Sequence, residues 1–299
     1  MAPSWSPDGR RVAFLRSEDD GVDLYVVDAS GGRETRLADN VDLTFDWSPG
    51  GRRIAFSSTG SDLLPQSPHL FVVDVGSGVV EQLTSADRAD VSPEWSPDGG
   101  SIAFVGSPPR AVGASESPDS DIYRLNVATG AVNLLTQHRD PDYGPTWSPD
   151  GRQIAFSSTR NAAPDSTEPA PEIYVMDARG RGERRLTYRR SAHDVAPQWS
   201  PDGDSISFLE YRGDAQEARG HLRVMRADGS SDRVLTEANE VMAWDPTWSP
   251  SGRTIVFVAG AVGADGVKGD TEVAYLDVAT GSISRLTDNT RFEWGPDWR

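Results

Sequence analysis

An all-β ring of six sheets that share their hydrophobic interior is the fold class this sequence predicts, and three observations predict it. A motif typified by Trp147-Ser-Pro-Asp-Gly-Arg-Gln-Ile-Ala-Phe156 returns six times, beginning at Trp5, Trp47, Trp95, Trp147, Trp199 and Trp248. The spacings of 42, 48, 52, 52 and 49 residues are those of a repeat array, in which no unit can bury its apolar face alone. Each unit carries four short apolar segments bounded by turn residues, and helical periodicity is sustained nowhere. The second segment alternates large, small, large, so both faces of its sheet are apolar and both must be covered. Radial stacking of four-stranded antiparallel blades meets that need. Residues 1–299 are therefore read as one domain, a six-bladed β-propeller.

The fourth unit shows the elements in order: Gly144–Trp147, Gln153–Phe156, Glu172–Asp177 and Arg184–Thr187. Ser148-Pro-Asp-Gly151 links the first two as a tight hairpin. Proline presets φ for a type I turn, aspartate bonds its own backbone and glycine accepts a positive φ. Asp8, Asp98, Asp150 and Asp202 are accordingly turn-formers, with Gly50 and Ser251 standing at that position in units two and six. The second strand reads Ile154-Ala-Phe156 here and Val12-Ala-Phe14, Ile54-Ala-Phe56, Ile102-Ala-Phe104, Ile206-Ser-Phe208 and Ile255-Val-Phe257 elsewhere. Variation in length sits between the second and third strands. Leu15–Val22, Val105–Ser120, Ser157–Pro171 and Ala259–Asp270 are expected to be surface loops on one face of the ring. Residues 291–299, with Pro296-Asp-Trp298 in phase with the repeat, are expected to close the ring beside the innermost strand of blade 1.

Composition bounds the function classes. A formal charge of −17 argues against a nucleic-acid partner and favours solubility and a cationic partner. Cysteine is absent, which excludes disulfides, thiolate metal sites and a cysteine nucleophile. No apolar run approaches a membrane span, and no secretion leader is visible.

The run Asp142-Tyr-Gly-Pro-Thr-Trp-Ser-Pro-Asp-Gly-Arg-Gln-Ile-Ala-Phe156, with Ile173-Tyr-Val-Met-Asp177 and Leu186-Thr187, resembles the TolB-type propeller repeat over essentially the whole chain. The likeness is to the propeller alone, without the N-terminal α/β domain of TolB. It implies six blades, a periplasmic or extracellular setting and protein or peptide partners. A cytoplasmic location stays open. Similar repeats occur in prolyl-oligopeptidase-like peptidases and polysaccharide-lyase-like proteins.

Five residues before most of the tryptophans stands a carboxylate: Asp42, Asp90, Asp142, Asp194 and Glu293, with Asp245 nearby in the sixth unit. Six-fold repetition places them at one level, around the channel mouth. Such acids bind a cation or peptide amine, or else hydrogen-bond local backbone. The inter-blade connections add His138, Tyr143, Arg190, His193, Trp244 and Trp294, aromatic and cationic side chains of the kind enriched at recognition surfaces. If a metal binds, Asp142, Asp194 and His193 are its candidate ligands. No cofactor is expected beyond a divalent cation such as calcium in the channel.

Catalytic motifs are missing: there is no H-E-x-x-H and no G-x-S-x-G among 299 residues that hold four histidines. The expectation is a non-enzymatic, monomeric scaffold that binds a protein or peptide at its loop-rich face and acidic channel mouth. The alternatives are a metal-assisted lyase or hydrolase on a sugar or polyanionic substrate, and the detached propeller of a prolyl-oligopeptidase-like peptidase.

Overall fold

The computed structural model describes residues 3–18, 21–59, 67–85, 88–108, 119–161, 170–189, 192–212, 219–236, 242–263, 266–287 and 296–298. These residues form six four-stranded antiparallel sheets and no helix, with the strands of each sheet in chain order. Blade 1 consists of Ser4–Trp5, Arg11–Glu18, Gly21–Asp28 and Thr35–Ala38, and blade 2 of Val41–Trp47, Arg53–Ser58, His69–Asp74 and Val80–Gln82. Blade 3 consists of Ala89–Trp95, Ser101–Ser107, Asp121–Asn126 and Val132–Leu134, and blade 4 of Asp142–Trp147, Gln153–Ser158, Glu172–Asp177 and Arg184–Arg185. Blade 5 consists of Ala192–Trp199, Ser205–Arg212, Arg219–Arg226 and Arg233–Val234. Blade 6 consists of Met242–Trp248, Thr254–Gly263, Gly266–Asp277 and Ile283–Arg285. This is the six-bladed propeller that the repeat predicts.

The hairpin turns behave as the residue types dictate. In blade 4 the Asp150 carboxylate accepts the Ser148 hydroxyl at 2.6 Å and the Arg152 N–H at 3.0 Å, and Gly151 takes φ +68°. Asp8, Asp98 and Asp202 accept Ser6, Ser96 and Ser200 in the same way. The turn glycines Gly51, Gly99, Gly151, Gly203 and Gly252 each lie under the proline of the preceding blade, as Gly151 does beneath Pro97, so the turn also contributes to the contact between blades.

Phe56, Phe104, Phe156, Phe208 and Phe257 are each at most 2% exposed. With the repeated tryptophan and isoleucine they pack on the small-residue face of the blade before. Trp147, Ile154 and Phe156 of blade 4 meet Ala103, Val105 and Ile122 of blade 3. Equivalent clusters join blades 1 and 2, 2 and 3, 4 and 5, and 5 and 6. The ring is completed differently, at Trp5, whose N–H donates to Asp297 Oδ2 at 2.8 Å. In the same manner Trp95 donates to Asp46 of the preceding blade and Trp147 to Glu94. Pro296–Trp298 thus takes the place before blade 1. Residues 291–295 and 299 of the expected closing segment lie outside the described residues.

Two of the four expected loops are different in the structure. Leu15–Val22 contributes to paired strands, with Glu18 opposite Gly21, and Ala259–Asp270 mostly continues a long hairpin in which Gly263 faces Gly266. Antiparallel strands joined by a two-residue link keep their ladder, and glycines at 260, 263 and 266 hide the strand pattern in the sequence. The expected loops in units three and four fall largely outside the described residues.

The inter-blade contact predicts a graded response. Phe156→Ala is expected to lower the unfolding free energy by about 3–5 kcal/mol. Phe14→Ala, at a half-buried site in blade 1, is expected to lose clearly less. Guanidinium denaturation of both variants measures the difference, and equal losses would mean that blade 1 is as fully covered as blade 4.

Candidate functional site

The inner strands run from the loop-rich end of the channel to the hairpin-turn end, so residue position relative to the tryptophan sets depth. Five residues before it, at the loop end, Asp90, Asp142 and Asp194 are completely buried. Each is neutralised by an arginine: Arg88 at 2.5 Å, Arg160 at 2.6 Å and Arg189 at 2.9 Å. Burial pushes the Asp90 and Asp194 carboxyls up, against the pull of Thr84 and Arg88 on the first and of Arg189 and Thr187 on the second.

The three guanidinium groups do a second job. Arg88 lies over Phe104 and Tyr123, Arg160 over Phe156 and Tyr174, and Arg189 over Phe208, at 4.3–5.6 Å from the ring centroids. Arg16 covers the stacked Phe14 and Tyr25 of blade 1 and pairs with Glu34 at 2.7 Å. A planar cation between a carboxylate and a ring face satisfies both. Blade 5 extends this into a network. Asp194 faces Glu210 across the ladder and Glu210 faces His221. Arg189 also reaches Glu210 at 3.2 Å and Asp232, and Arg223 reaches Glu210 at 3.0 Å and Asp232 at 2.9 Å.

One residue further along stand Leu43, Val91, Tyr143, Val195 and Trp244. The last four share one register position, opposite Val105, Ser157, Leu209 and Val258. They are partly buried, while Leu43, displaced by a wider bulge in blade 2, is 71% exposed. These side chains make an apolar row, or collar, at the loop end, in which Val91 and Tyr143 pack on the cluster between blades 3 and 4 and Val195 on that between blades 5 and 6. The next residue, Ser92, Gly144, Ala196 or Asp245, is left-handed with φ between +47° and +61°. The register shifts there in each case, a β-bulge that turns the strand towards the channel.

Beyond the bulge opens a cavity of about 700 Å³, lined by the ends of the inner strands and by turn prolines such as Pro149 and Pro201. Its wall includes the residues just before the tryptophans: Asp46, Glu94, Thr146, Gln198 and Thr247. Burial pushes Asp46 up to about 7, and burial together with repulsion from Asp46 pushes Glu94 up to about 8. These two carboxyls were not singled out from sequence, because the residue at that position changes type from blade to blade.

The remaining sequence candidates are scattered. Asp42 is half-buried in blade 2, and Asp245 is exposed at its bulge. His138 is exposed, with Nδ1 3.3 Å from Asp140. His193 and Asp194 are consecutive on one strand, so their side chains leave opposite faces of the sheet. Arg190, Glu293 and Trp294 lie outside the described residues. Among the described residues, no group of three or more His, Asp or Glu side chains could hold a metal ion.

A ring of six four-stranded blades, each opened by a Trp-Ser-Pro motif and set around a central cavity, defines a propeller of the TolB repeat type. The chain belongs to the TolB beta propeller domain family, whose family model matches residues 1–107 and 162–299. It is 24% identical over 175 residues to the uncharacterized peptidase YuxL of Bacillus subtilis, covering 58% of this chain and 24% of that protein. The chain spans about a quarter of the length of the curated relatives it matches. A putative TolB from Agrobacterium tumefaciens superposes with a TM-score of 0.63 at 24% identity over 79% of both chains. An oligogalacturonate lyase from Vibrio parahaemolyticus superposes with a TM-score of 0.72 at 13% identity, over 95% of this chain and 76% of the other. At such identities the superpositions show the fold alone.

Arg189→Ala leaves the opposed Asp194 and Glu210 with one guanidinium in place of two. The expected loss of unfolding free energy at pH 7 is about 3–5 kcal/mol. It shrinks at pH 5, where Asp194, with its raised pKa, takes up a proton more readily. Denaturation at the two pH values checks this, and equal losses would assign the effect to stacking on Phe208 rather than to charge.

Proposed function

We propose that this propeller is a non-enzymatic binding module that receives a protein or peptide at its loop-rich face, around the channel mouth. The observation that carries the reading is the collar at the loop end of the inner strands: Val91, Tyr143, Val195 and Trp244 at one register position, with Leu43 exposed beside them. A contact surface gains most from apolar and aromatic anchors on a rigid frame, and the inner strands are such a frame. The carboxylates behind the collar, Asp90, Asp142 and Asp194, are joined to arginines. In this reading they act by fixing the arginines and the rim rather than by meeting the partner directly. The net charge of −17 favours a partner with a basic surface, drawn in by the long-range field.

Membership of the TolB beta propeller family supports a protein partner and a periplasmic setting. A metal-assisted lyase or hydrolase is less well supported. Two of its three candidate ligands, Asp142 and Asp194, are already engaged by guanidinium groups, and the third, His193, leaves the opposite sheet face from Asp194. A propeller joined to a peptidase or another domain would use the same collar against its neighbour.

The test is binding to an array of apolar and basic peptides, followed by fluorescence anisotropy on those retained. Tyr143→Ala combined with Trp244→Ala is expected to weaken binding by roughly 30-fold or more, measured at a temperature where circular dichroism shows the variant folded, since Tyr143 also packs on the cluster between blades 3 and 4. Peptide binding that survives in the double variant would remove the collar as the recognition surface.

A further inference from the structure

Beside the six complete blades the ring holds the head of a seventh position. The N–H of Trp95 donates to Asp46 and that of Trp147 to Glu94, each acceptor standing immediately before the tryptophan of the preceding blade. Trp5 donates in the same way to Asp297, which immediately precedes Trp298. Trp298 follows Trp248 at the interval of the repeat. It therefore occupies the place of an inner-strand tryptophan between blade 6 and blade 1.

The two sheet faces that border this position are open where their counterparts are closed. Leu286 of blade 6 is 58% exposed, whereas Leu37, Leu135, Leu186 and Leu235, at the same place in other blades, are buried against the next blade. Val273 is half-buried where Leu24, Leu70, Ile122, Ile173 and Leu222 have no exposed surface. Blade 6 itself is regular here. The Leu286 N–H donates to the Val273 carbonyl at 2.7 Å and the Val273 N–H to Thr287 Oγ1 at 2.8 Å, as Leu235, Leu222 and Thr236 do in blade 5. The exposure thus comes from what stands beside blade 6 and not from a fault within it. Opposite, Trp5, Val12, Phe14 and Val27 of blade 1 are half-buried, while Trp248, Ile255, Phe257 and Leu276 at those places in blade 6 are buried. A cavity of about 450 Å³, bordered by Trp5, Pro7, Pro250 and Trp298, lies at the turn end of the same gap.

We propose that the gap between blades 6 and 1 is a docking slot for a β-meander of three antiparallel strands, which carries a further copy of this repeat and is supplied by a partner polypeptide. The five other junctions show what covers such a pair of faces, since at each of them it is the neighbouring sheet of the same repeat. A sheet apolar on both sides is stable only when both are covered, and the two half-open faces supply the driving force for docking. Orientation follows from size. In blade 4, Trp147, Ile154 and Phe156 face the preceding blade, while Ala155 and Val175 face the following one. The incoming sheet accordingly turns bulky side chains to Leu286 and Val273, and small ones to Trp5, Val12 and Phe14. A strand laid beside Pro296–Trp298 adds main-chain hydrogen bonds to the apolar contact.

The chain has no cysteine, so a single introduced thiol reports on the slot alone. Leu286→Cys and Val12→Cys place one on each face, and Leu235→Cys and Ile54→Cys mark the equivalent covered places. All four are compared at a temperature where circular dichroism shows them folded. Maleimide labelling of the two slot variants is expected to run roughly 10-fold or more faster than that of their counterparts. The probe is a synthetic peptide copying residues 148–187, the second to fourth strands of blade 4, with its scrambled sequence as control. At saturation the peptide is expected to slow labelling of both Leu286→Cys and Val12→Cys by about 5-fold or more, and the scrambled one to slow neither. Slot variants that label no faster than their counterparts show faces already covered and overturn the proposal. A peptide that protects neither thiol also overturns it, as does one that protects only Leu286→Cys, which would set it on the outside of blade 6. Protection that grows with protein concentration and needs no peptide makes a second copy the occupant and likewise overturns it. Tyr143 and Trp244 are unaltered throughout, so the outcome is independent of the collar.

Discussion

Each blade is finished by its neighbour. A four-stranded sheet with isoleucine and phenylalanine on one face and alanine and valine on the other has no solvent face, so it is stable only between two others. The complementarity is one of size. Phe104, Ile102 and Trp95 of blade 3 need a shallow surface, and Ala55 and Val72 of blade 2 supply it. Everything else in the molecule follows from where this stacking places the inner strands, because it is their edges and ends that become the channel. The stacking also has a beginning. Trp5, Val12, Phe14, Tyr25 and Val27 of blade 1 are half-buried, whereas Phe56, Ile54, Val73 and Trp47 of blade 2 are buried. At this junction, among the described residues, the hydrogen bond from Trp5 to Asp297 makes the link.

Stacking that buries both faces also buries whatever polar residue stands at the same level, and the loop end shows how that cost is met. A carboxylate with no exposed surface is unfavourable unless a cation and hydrogen bonds surround it. Arg88, Arg160 and Arg189 supply the cation, and their flat undersides cover the aromatic rings of Tyr123, Tyr174 and Phe208. The charge pair and the aromatic lid are one device made three times. Blade 5 adds Glu210, Arg223 and Asp232 to it, and this makes its loop end the most heavily cross-linked part of the described rim.

The architecture was legible in the sequence because its causes are local and repeated: a turn tetrapeptide, an alternation of large and small side chains, and a tryptophan that keeps phase from Trp5 to Trp298. The regular spacing of Asp90, Asp142 and Asp194 was legible too, but not their burial. Their partners reach one place from three different points along the chain, Arg88 before an inner strand, Arg160 after a second strand and Arg189 after a fourth. No alignment of the units brings these arginines together. The left-handed residues Ser92, Ala196 and Asp245 were equally hidden, since neither serine nor alanine advertises a positive φ. Asp46 and Glu94 escaped notice because their counterparts are threonine and glutamine, and only the fold reveals that these positions share a cavity.

That last point separates structure from function in a repeat protein. Positions whose residue type the stacking dictates, such as Phe156 or Gly151, are constrained in every blade and can say little about a partner. Positions whose direction is fixed by register, but whose residue type is free, are where a distinct surface can be written. The collar is one such row, reading Leu43, Val91, Tyr143, Val195 and Trp244, and the cavity wall is the other, reading Asp46, Glu94, Thr146, Gln198 and Thr247. The first is apolar and uneven in size, with its two large aromatics in blades 4 and 6. The second carries its charge in blades 2 and 3 and in the closing segment, where Asp297 stands in the same place before Trp298. The ring thus repeats its packing from blade to blade while its chemistry at both ends differs from one blade to the next.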